Sequence, residues 1–251
     1  MSLTSEIDPI EITNLGELGS YATDLCLSDN EIRWFRGHAE AQWAVQPSLW
    51  RDYNNDQERN FTNRFRSRAA LRLPTAPSHN NYPAWLSLMQ HYGLPTRLLD
   101  WSRSPLIAAY FAVSRYLTKD TTPADAVIWV LRPHYLNSLE LNTDLTFPID
   151  ADTAREMLEP AFRKRPENGK VLAVMAVEHD MRMFVQQGAF TIHSEPGGLN
   201  KREGHSRYLI PLLVKADSVG RMAAELHCSG FRRGDIYPDL TNLADELKGL
   251  S

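Results

Sequence analysis

Arg36 closes an apolar run, Ile32-Arg33-Trp34-Phe35-Arg36-Gly37, and a glycine follows it. A guanidinium fork holds phosphate oxygens two at a time, which an ammonium cannot do, and burying an arginine without a partner is costly. These residues therefore read as an anion grip. Gly37 is expected to let the backbone approach a ligand closely, with His38 beside it. Arg51 and Arg182 are candidates to complete an anion pocket. A second group lies in Gln90-His91-Tyr92-Gly93-Leu94-Pro95-Thr96-Arg97-Leu98-Leu99-Asp100-Trp101-Ser102-Arg103-Ser104. Arg97 and Asp100, flanked by two leucines, suggest a buried pair that holds this segment and orients Arg36, and Asp100 is also a candidate ion-pair partner of Arg36 itself. His91 reads either as a general base or as a histidine at a helix C-terminus. Tyr92 or Trp101 offers an aromatic face, and Ser102 offers a hydroxyl. The third group is Gln186-Gln187-Gly188-Ala189-Phe190-Thr191, where two adjacent amides enter an apolar strand and must find partners.

The rest of the sequence narrows the chemistry by exclusion. It has no G-x-x-x-x-G-K-[ST], H-E-x-x-H, G-x-S-x-G or G-x-G-x-x-G, and its eight histidines never fall at metal-ligand spacing, so no metal is expected. Cys26 and Cys228 are the only cysteines, which argues against a thiolate zinc site or a disulfide framework and favours a reducing, cytoplasmic compartment. Met1 to Ile10 lacks the apolar core of a signal peptide. The longest apolar run, Pro105 to Val113, is far short of the roughly 20 residues of a membrane span. With 27 Lys+Arg against 31 Asp+Glu the net charge is −4, so neither a general nucleic-acid coat nor a polybasic membrane binder is expected. Hydrophobic residues at 43% and charged residues at 23% of 251 suit one large folded domain over residues 1–251, and no linker or repeat divides it.

The elements that must carry these groups are legible from period and punctuation. Ile32 to Gly37 reads as a short strand, and Gln57 to Leu73 as a helix with Phe61, Phe65 and Ala69 on one face. Ala84 to His91 reads as a helix stopped by Gly93 and Pro95. Leu98 to Trp101 is extended, and Ser104 caps a buried helix that opens on Pro105 and runs to about Leu117. Ala126 to Leu131 is a continuous apolar run, expected in the middle of a sheet. Asp150 to Phe162 and Ser218 to His227 read as helices. Phe190 to His193 and Tyr208 to Val214 read as strands, the latter at an edge or bulge because of Pro211. A last helix, Asp239 to Leu247, is expected to turn Leu240, Leu243, Ala244 and Leu247 inward. Strands and helices without strict alternation indicate an α+β fold.

The run Trp34-Phe35-Arg36-Gly37-His38 and the stretch Gln90 to Ala112 resemble the FRG domain family, named for its Phe-Arg-Gly element. The resemblance is most specific over residues 31–115. Gln186 to Thr191 and the late run Gly230-Phe231-Arg232-Arg233-Gly234-Asp235-Ile236-Tyr237-Pro238-Asp239-Leu240 look like full-length members, so that residues 126–250 would complete the fold. A more distant resemblance is to ADP-ribosyltransferase-like domains, which implies a split mixed or antiparallel sheet with packed helices around NAD. In that likeness Arg36 stands for the arginine of the first strand. Ser102 with Ser104, followed by Ala108-Ala109-Tyr110-Phe111-Ala112, stands for the serine strand and its helix. Gln186 or Gln187 stands where the late glutamate is usual, and Gln187 is the one expected to be catalytic. Glu178 and Glu195 are the nearby carboxylates, Glu195 the better placed. The resemblance thus implies NAD as a substrate, with Arg36, Ser102, Gln187 and Glu195 in catalytic roles and Arg36, Gly37, His38, His91, Tyr92, Arg97 and Trp101 in binding roles. The product would be nicotinamide, with ADP-ribose passed to water or to a macromolecular acceptor. Breaking the nicotinamide–ribose bond develops a cation-like sugar that a carboxylate or an amide oxygen can stabilise. Two alternatives stand beside this. One is a module that binds a nucleotide or phosphorylated ligand without turnover. The other is a protein-interaction domain using the loop around Tyr82 and Pro83.

Overall fold

The computed structural model describes residues 8–117, 121–176 and 185–249. Its strands are β1 (Ile10–Glu11), β2 (Trp34–His38), β3 (Leu98–Ser102), β4 (Ala126–Leu131), β5 (Phe147–Pro148), β6 (Val171–Met175), β7 (Gly188–His193) and β8 (Leu209–Val214). Among the described residues they form one mixed sheet in the order β1-β8-β4-β2-β3-β7-β6-β5. The two edge pairings, β1 with β8 and β5 with β6, are parallel, and the pairings between them are antiparallel. Both edge strands are two residues long, which leaves little open ladder for another chain to extend. The architecture is α+β.

The sheet is continuous but nearly divided. Strand β2 meets β4 along five residue pairs, and β3 meets β7 along five, yet β2 and β3 are joined through Phe35 opposite Ser102 alone. Strand β3 ends at that pair, and from it toward His38 on β2 and Leu98 on β3 the strands part.

Alternation in β2 sends Trp34, Arg36 and His38 to one face and Phe35 and Gly37 to the other. On the Phe35 face, α1 (Leu15–Asp29), α5 (Pro105–Val113) and α8 (Ala216–Cys228) cover β2, β4 and β8. Further along that face, α3 (Asn55–Ala69), α4 (Tyr82–His91) and α7 (Asp152–Leu158) cover β3, β6 and β7 through Trp85, Leu86, Met89 and Leu158. The Trp34 face is closed by α6 (Pro133–Leu141) and by the segments around Val45, Leu199 and Tyr208. No described helix is long and apolar enough to cross a membrane.

Several expectations hold and several are corrected. Ala126–Leu131 is fully buried and interior, as its unbroken apolar run requires. Ser104 caps α5 by accepting from the Ile107 N–H, and Pro105 opens the helix. The turns after Val113 are 3₁₀ rather than α. The helix expected over 57–73 spans Asn55–Ala69, because Asn54 and Gln57 form a capping box that starts it earlier. Asp150 to Phe162 is α-helical only over Asp152–Leu158 and continues as a 3₁₀ turn across Pro160. Strand β8 lies one strand in from the edge, and its pairing with β1 begins at Leu212, just past Pro211. Helices α1 and α6 and strand β6 were not legible as elements.

Two corrections bear on surfaces. In α10 (Leu240–Gly249), Leu240, Leu243, Ala244 and Leu247 are exposed rather than inward, because the helix packs mainly on the short helix α9 (Arg233–Ile236). Tyr82 and Pro83, expected on an exposed loop, are buried at the start of α4, where Tyr82 stacks on Phe162. Glu178 and Arg182 lie outside the described residues.

Candidate functional site

A cavity of about 300 Å³ opens where β2 and β3 part. Arg36, Gly37 and His38 border it from β2, and Asp100, Trp101 and Ser102 from β3. Trp43 and Arg51 stand at one side, Ile107 and Phe111 of α5 at the other, and Gln186 beside Ser102. One half is therefore cationic and the other apolar and aromatic.

Arg36 spans the parting. Its Nη1 donates to the main-chain oxygen of Asp100 at 2.6 Å, and its Nε donates to His38 Nε2 at 3.1 Å. The strand carbonyl released by the parting is thereby satisfied by a side chain instead of by a neighbouring strand. The contact with Asp100 is to its carbonyl, not the candidate ion pair with its carboxylate. The Asp100 carboxylate instead accepts from Gln90 Nε2 at 2.5 Å. Burial holds the Arg36 guanidinium below its usual value; Asp100 counters this, while Arg51 adds to it. Neither Arg36 nor Arg51 has an ion pair with a carboxylate among the described residues. Two guanidinium groups thus share one cavity, with Asp100 the carboxylate among its described lining residues.

His38 is 2% exposed, and its imidazole is pushed well below the ordinary histidine value by burial, then by Arg36 and Arg51, against a backbone hydrogen bond at Trp43. It is neutral at pH 7, accepts at Nε2, and so carries its proton on Nδ1. Trp101 is buried with its Nε1 donating to Thr191 Oγ1 at 3.0 Å, and Thr191 Oγ1 lies 2.9 Å from His193 Nε2. Thr191 Oγ1 thus links the Trp101 N–H to the buried His193 imidazole. Burial, then Arg202 and Arg36, bring His193 down to about 3 from 6.5.

The sign of the resulting pH dependence is fixed. An unfolded imidazole takes up a proton below about pH 6.5, and folded His193 does not until about 3. Its contribution is fully present above pH 6.5 and is lost as the pH falls through that window, by up to ~1.4 kcal/mol per pH unit. His38 acts in the same direction. Urea unfolding at pH 7, 6 and 5 should therefore show a slope that His193→Gln reduces. Equal slopes in the two proteins would refute the assignment.

The other expected site residues sort clearly. Ser102 is at the cavity, but its Oγ donates to the Gln186 main-chain oxygen at 2.7 Å and accepts from the Ser104 N–H at 3.0 Å. Its hydroxyl is committed to holding strand β3 against the Gln186 segment. Gly37 borders the cavity, and its missing Cβ would lie 1.9 Å from the Ala108 oxygen and 2.5 Å from the Ala112 nitrogen. The glycine admits helix α5. Arg97 is corrected. It is fully buried away from the cavity, and it pairs with Glu58 and Glu167 rather than with Asp100. Burial alone would depress that guanidinium, but the two carboxylates carry it above its usual value.

Gln187 has φ of 48° and an exposed side chain, and its carbonyl accepts from the Arg103 N–H. That left-handed turn sends Gln187 outward and leaves Gln186 facing in. Glu195 is exposed, beside Gly169 and away from the cavity. His91 and Tyr92 are exposed at the end of α4, with Tyr92 near Phe65. Sequence reasoning missed Trp43 and Ile107 as lining residues, since neither stands in a motif with a chemical signature. It also missed Ile236 and Tyr237, which approach Gln186 and Phe111, although the late Phe231 to Leu240 run was visible.

The class these contacts define is an α+β domain whose sheet parts around an arginine. Within it, residues 31–121 match the family model of the FRG domain. Both strands of the parting, Trp34–His38 and Leu98–Ser102, fall inside that match. No curated protein and no solved structure matches the chain.

Proposed function

We propose that the cleft between β2 and β3 binds a nucleotide through its phosphates, with NAD the leading candidate. The observation that carries this reading is the pair Arg36 and Arg51 lining one cavity, neither ion-paired with a carboxylate among the described residues. A phosphate placed between them would accept charge-assisted hydrogen bonds. The apolar half, with Phe35, Ile107 and Phe111, suits a planar ring. At about 300 Å³ the cavity matches a mononucleotide-sized portion, so a dinucleotide would lie with one half inside and the other along the opening. The resemblance to ADP-ribosyltransferase-like domains supports the same choice of ligand.

A second reading is binding without turnover. It is favoured by the carboxylates: among the described lining residues the only one is Asp100, already engaged by Gln90, while Glu195 is elsewhere. In this reading the site senses or sequesters the nucleotide. Incubation with NAD separates the two, because only the transferase or hydrolase reading releases nicotinamide.

The binding itself is tested by thermal shift with NAD, ADP-ribose, ATP and nicotinamide. A ligand at 100 times its Kd stabilises the native state by about 2.7 kcal/mol, a shift of several degrees or less for a domain of this size. Wild type should shift with the phosphorylated ligands, Arg36→Ala should not, and Arg36→Lys should shift less because the fork is lost. No shift with any nucleotide, or an undiminished shift in Arg36→Ala, would overturn the reading.

A further inference from the structure

Gln186 is held at both ends of its residue. Its main-chain oxygen accepts from Ser102 Oγ at 2.7 Å, and its side-chain Nε2 donates to the Ile236 main-chain oxygen at 3.1 Å. A carbonyl oxygen cannot donate, so the amide nitrogen must be the atom that faces Ile236. The amide orientation is thus fixed by chemistry, and Oε1 is the end left over. Gln186 borders the cavity, and no described group donates to that oxygen. The left-handed turn at Gln187 and the short helix Arg233–Ile236 lock the segment from both sides.

Its neighbours say what kind of group would meet it. Phe111 and Ile107 line the cavity beside it, and Tyr237, next to Ile236, stands edge-on to Phe111 with ring centroids 6.1 Å apart. Along β3, Gln186 is at Ser102 while Arg36 is at Asp100, two residues or roughly 7 Å away. The cationic grip and the amide oxygen are therefore separated by about the breadth of a sugar. An acceptor at the edge of an apolar slot selects a flat ring that carries an N–H donor.

We infer that Gln186 is a specificity-determining residue: its oriented Oε1 selects a ring bearing an NH₂ donor over the same ring bearing an acceptor. The inference rests on the nucleotide reading of the cleft. The donor has two sources in common nucleotides, the carboxamide of a nicotinamide ring and the exocyclic amine of adenine. A ring with an oxygen acceptor in that place sets two lone pairs against each other and forfeits one hydrogen bond, a loss of roughly tenfold in affinity. Charge alone predicts the reverse for the nicotinamide pair. The acid form brings an additional negative charge into a cavity with two arginines, so a preference for the amide cannot come from electrostatic attraction.

The test is titration calorimetry of the full chain with nicotinamide mononucleotide against nicotinic acid mononucleotide, and with AMP against IMP. Wild type should prefer the amine or amide member of at least one pair by about tenfold, and the pair discriminated identifies the ring. In Gln186→Met that preference should fall to within about twofold, a ratio in which any general loss of affinity cancels. Arg36-dependent binding of both members of each pair with equal affinity in wild type would overturn the inference while leaving the phosphate reading intact. A preference retained in Gln186→Met would overturn it as well. Binding of no mononucleotide by wild type would overturn the nucleotide reading and this inference with it.

Discussion

Gly37→Ala is expected to destabilise the native state by about 3 kcal/mol or more, the upper end of what overpacking a core costs. The reason is geometric. A Cβ at residue 37 would lie 1.9 Å from the carbonyl oxygen of Ala108 and 2.5 Å from the nitrogen of Ala112, both main-chain atoms of α5. A flexible side chain could swing aside, but a helix backbone moves only as a body. Helix α5 carries Ala108, Ala109 and Ala112, all buried, so that its axis can lie close against β2. Pushing the helix away would open a gap under Phe35 and Val113 and widen the cleft that Ile107 and Phe111 line. Equilibrium unfolding in urea reads the loss. Ala108→Gly should not rescue it, because the clash is with the peptide oxygen and not with a methyl group. A loss under 1 kcal/mol, or full rescue by Ala108→Gly, would mean that the glycine is not there to admit the helix.

Arg97→Met should cost about 3–5 kcal/mol, the usual result of removing one partner from a buried ion pair. Arg97 is fully buried. It donates to both oxygens of Glu58, which is also fully buried, to both oxygens of Glu167, and to the Met157 carbonyl. Every direction of its guanidinium fork is taken. Without it, Glu58 is a buried carboxylate with no cation, and such a group resists ionisation. The double variant Glu58→Gln with Arg97→Met should recover part of the loss at pH 7. A single-variant cost under 1 kcal/mol, or no recovery in the double variant, would show that the cluster is not charged as described. The consequence reaches the cleft, because the Arg97 guanidinium also lies 5.8 Å from the Trp50 ring centroid, and Trp50 precedes Arg51 in the four-residue helix α2 (Leu49–Asp52). Anion affinity should fall in Arg97→Met through the misplacement of Arg51.

The two arginines show where reading a sequence stops. Arg36 stood out because its neighbours are apolar and a glycine follows, and those are local facts. Arg97 stood out because Leu98 and Leu99 follow it, and local spacing suggested Asp100 as its partner. In the structure its partners are 39 and 70 positions away, on α3 and in the segment before β6. Nothing in the spacing of charges along a chain tells which distant carboxylate will be buried with them.

The sequence by itself determined the elements whose signals are local. The unbroken apolar run of Ala126–Leu131 marked a buried strand, Ser104 and Pro105 marked the start of α5, and Gly93 and Pro95 marked the end of α4. It also carried the likeness to the FRG domain, since Trp34–His38 and Gln90–Ala112 are short contiguous runs inside the matched residues 31–121. Backbone period, capping and turn chemistry act within a few residues, so they are written where they act. Only the tertiary structure decided what each element faces. It turned Gly37 toward a helix, set Gln186 inward and Gln187 outward through one left-handed residue, and left the apolar side of α10 exposed. It also parted β2 from β3 beyond Phe35 and Ser102, which makes the cleft. Those outcomes depend on which surfaces meet across the sheet, and the free energy of such contacts belongs to pairs of elements far apart in the chain.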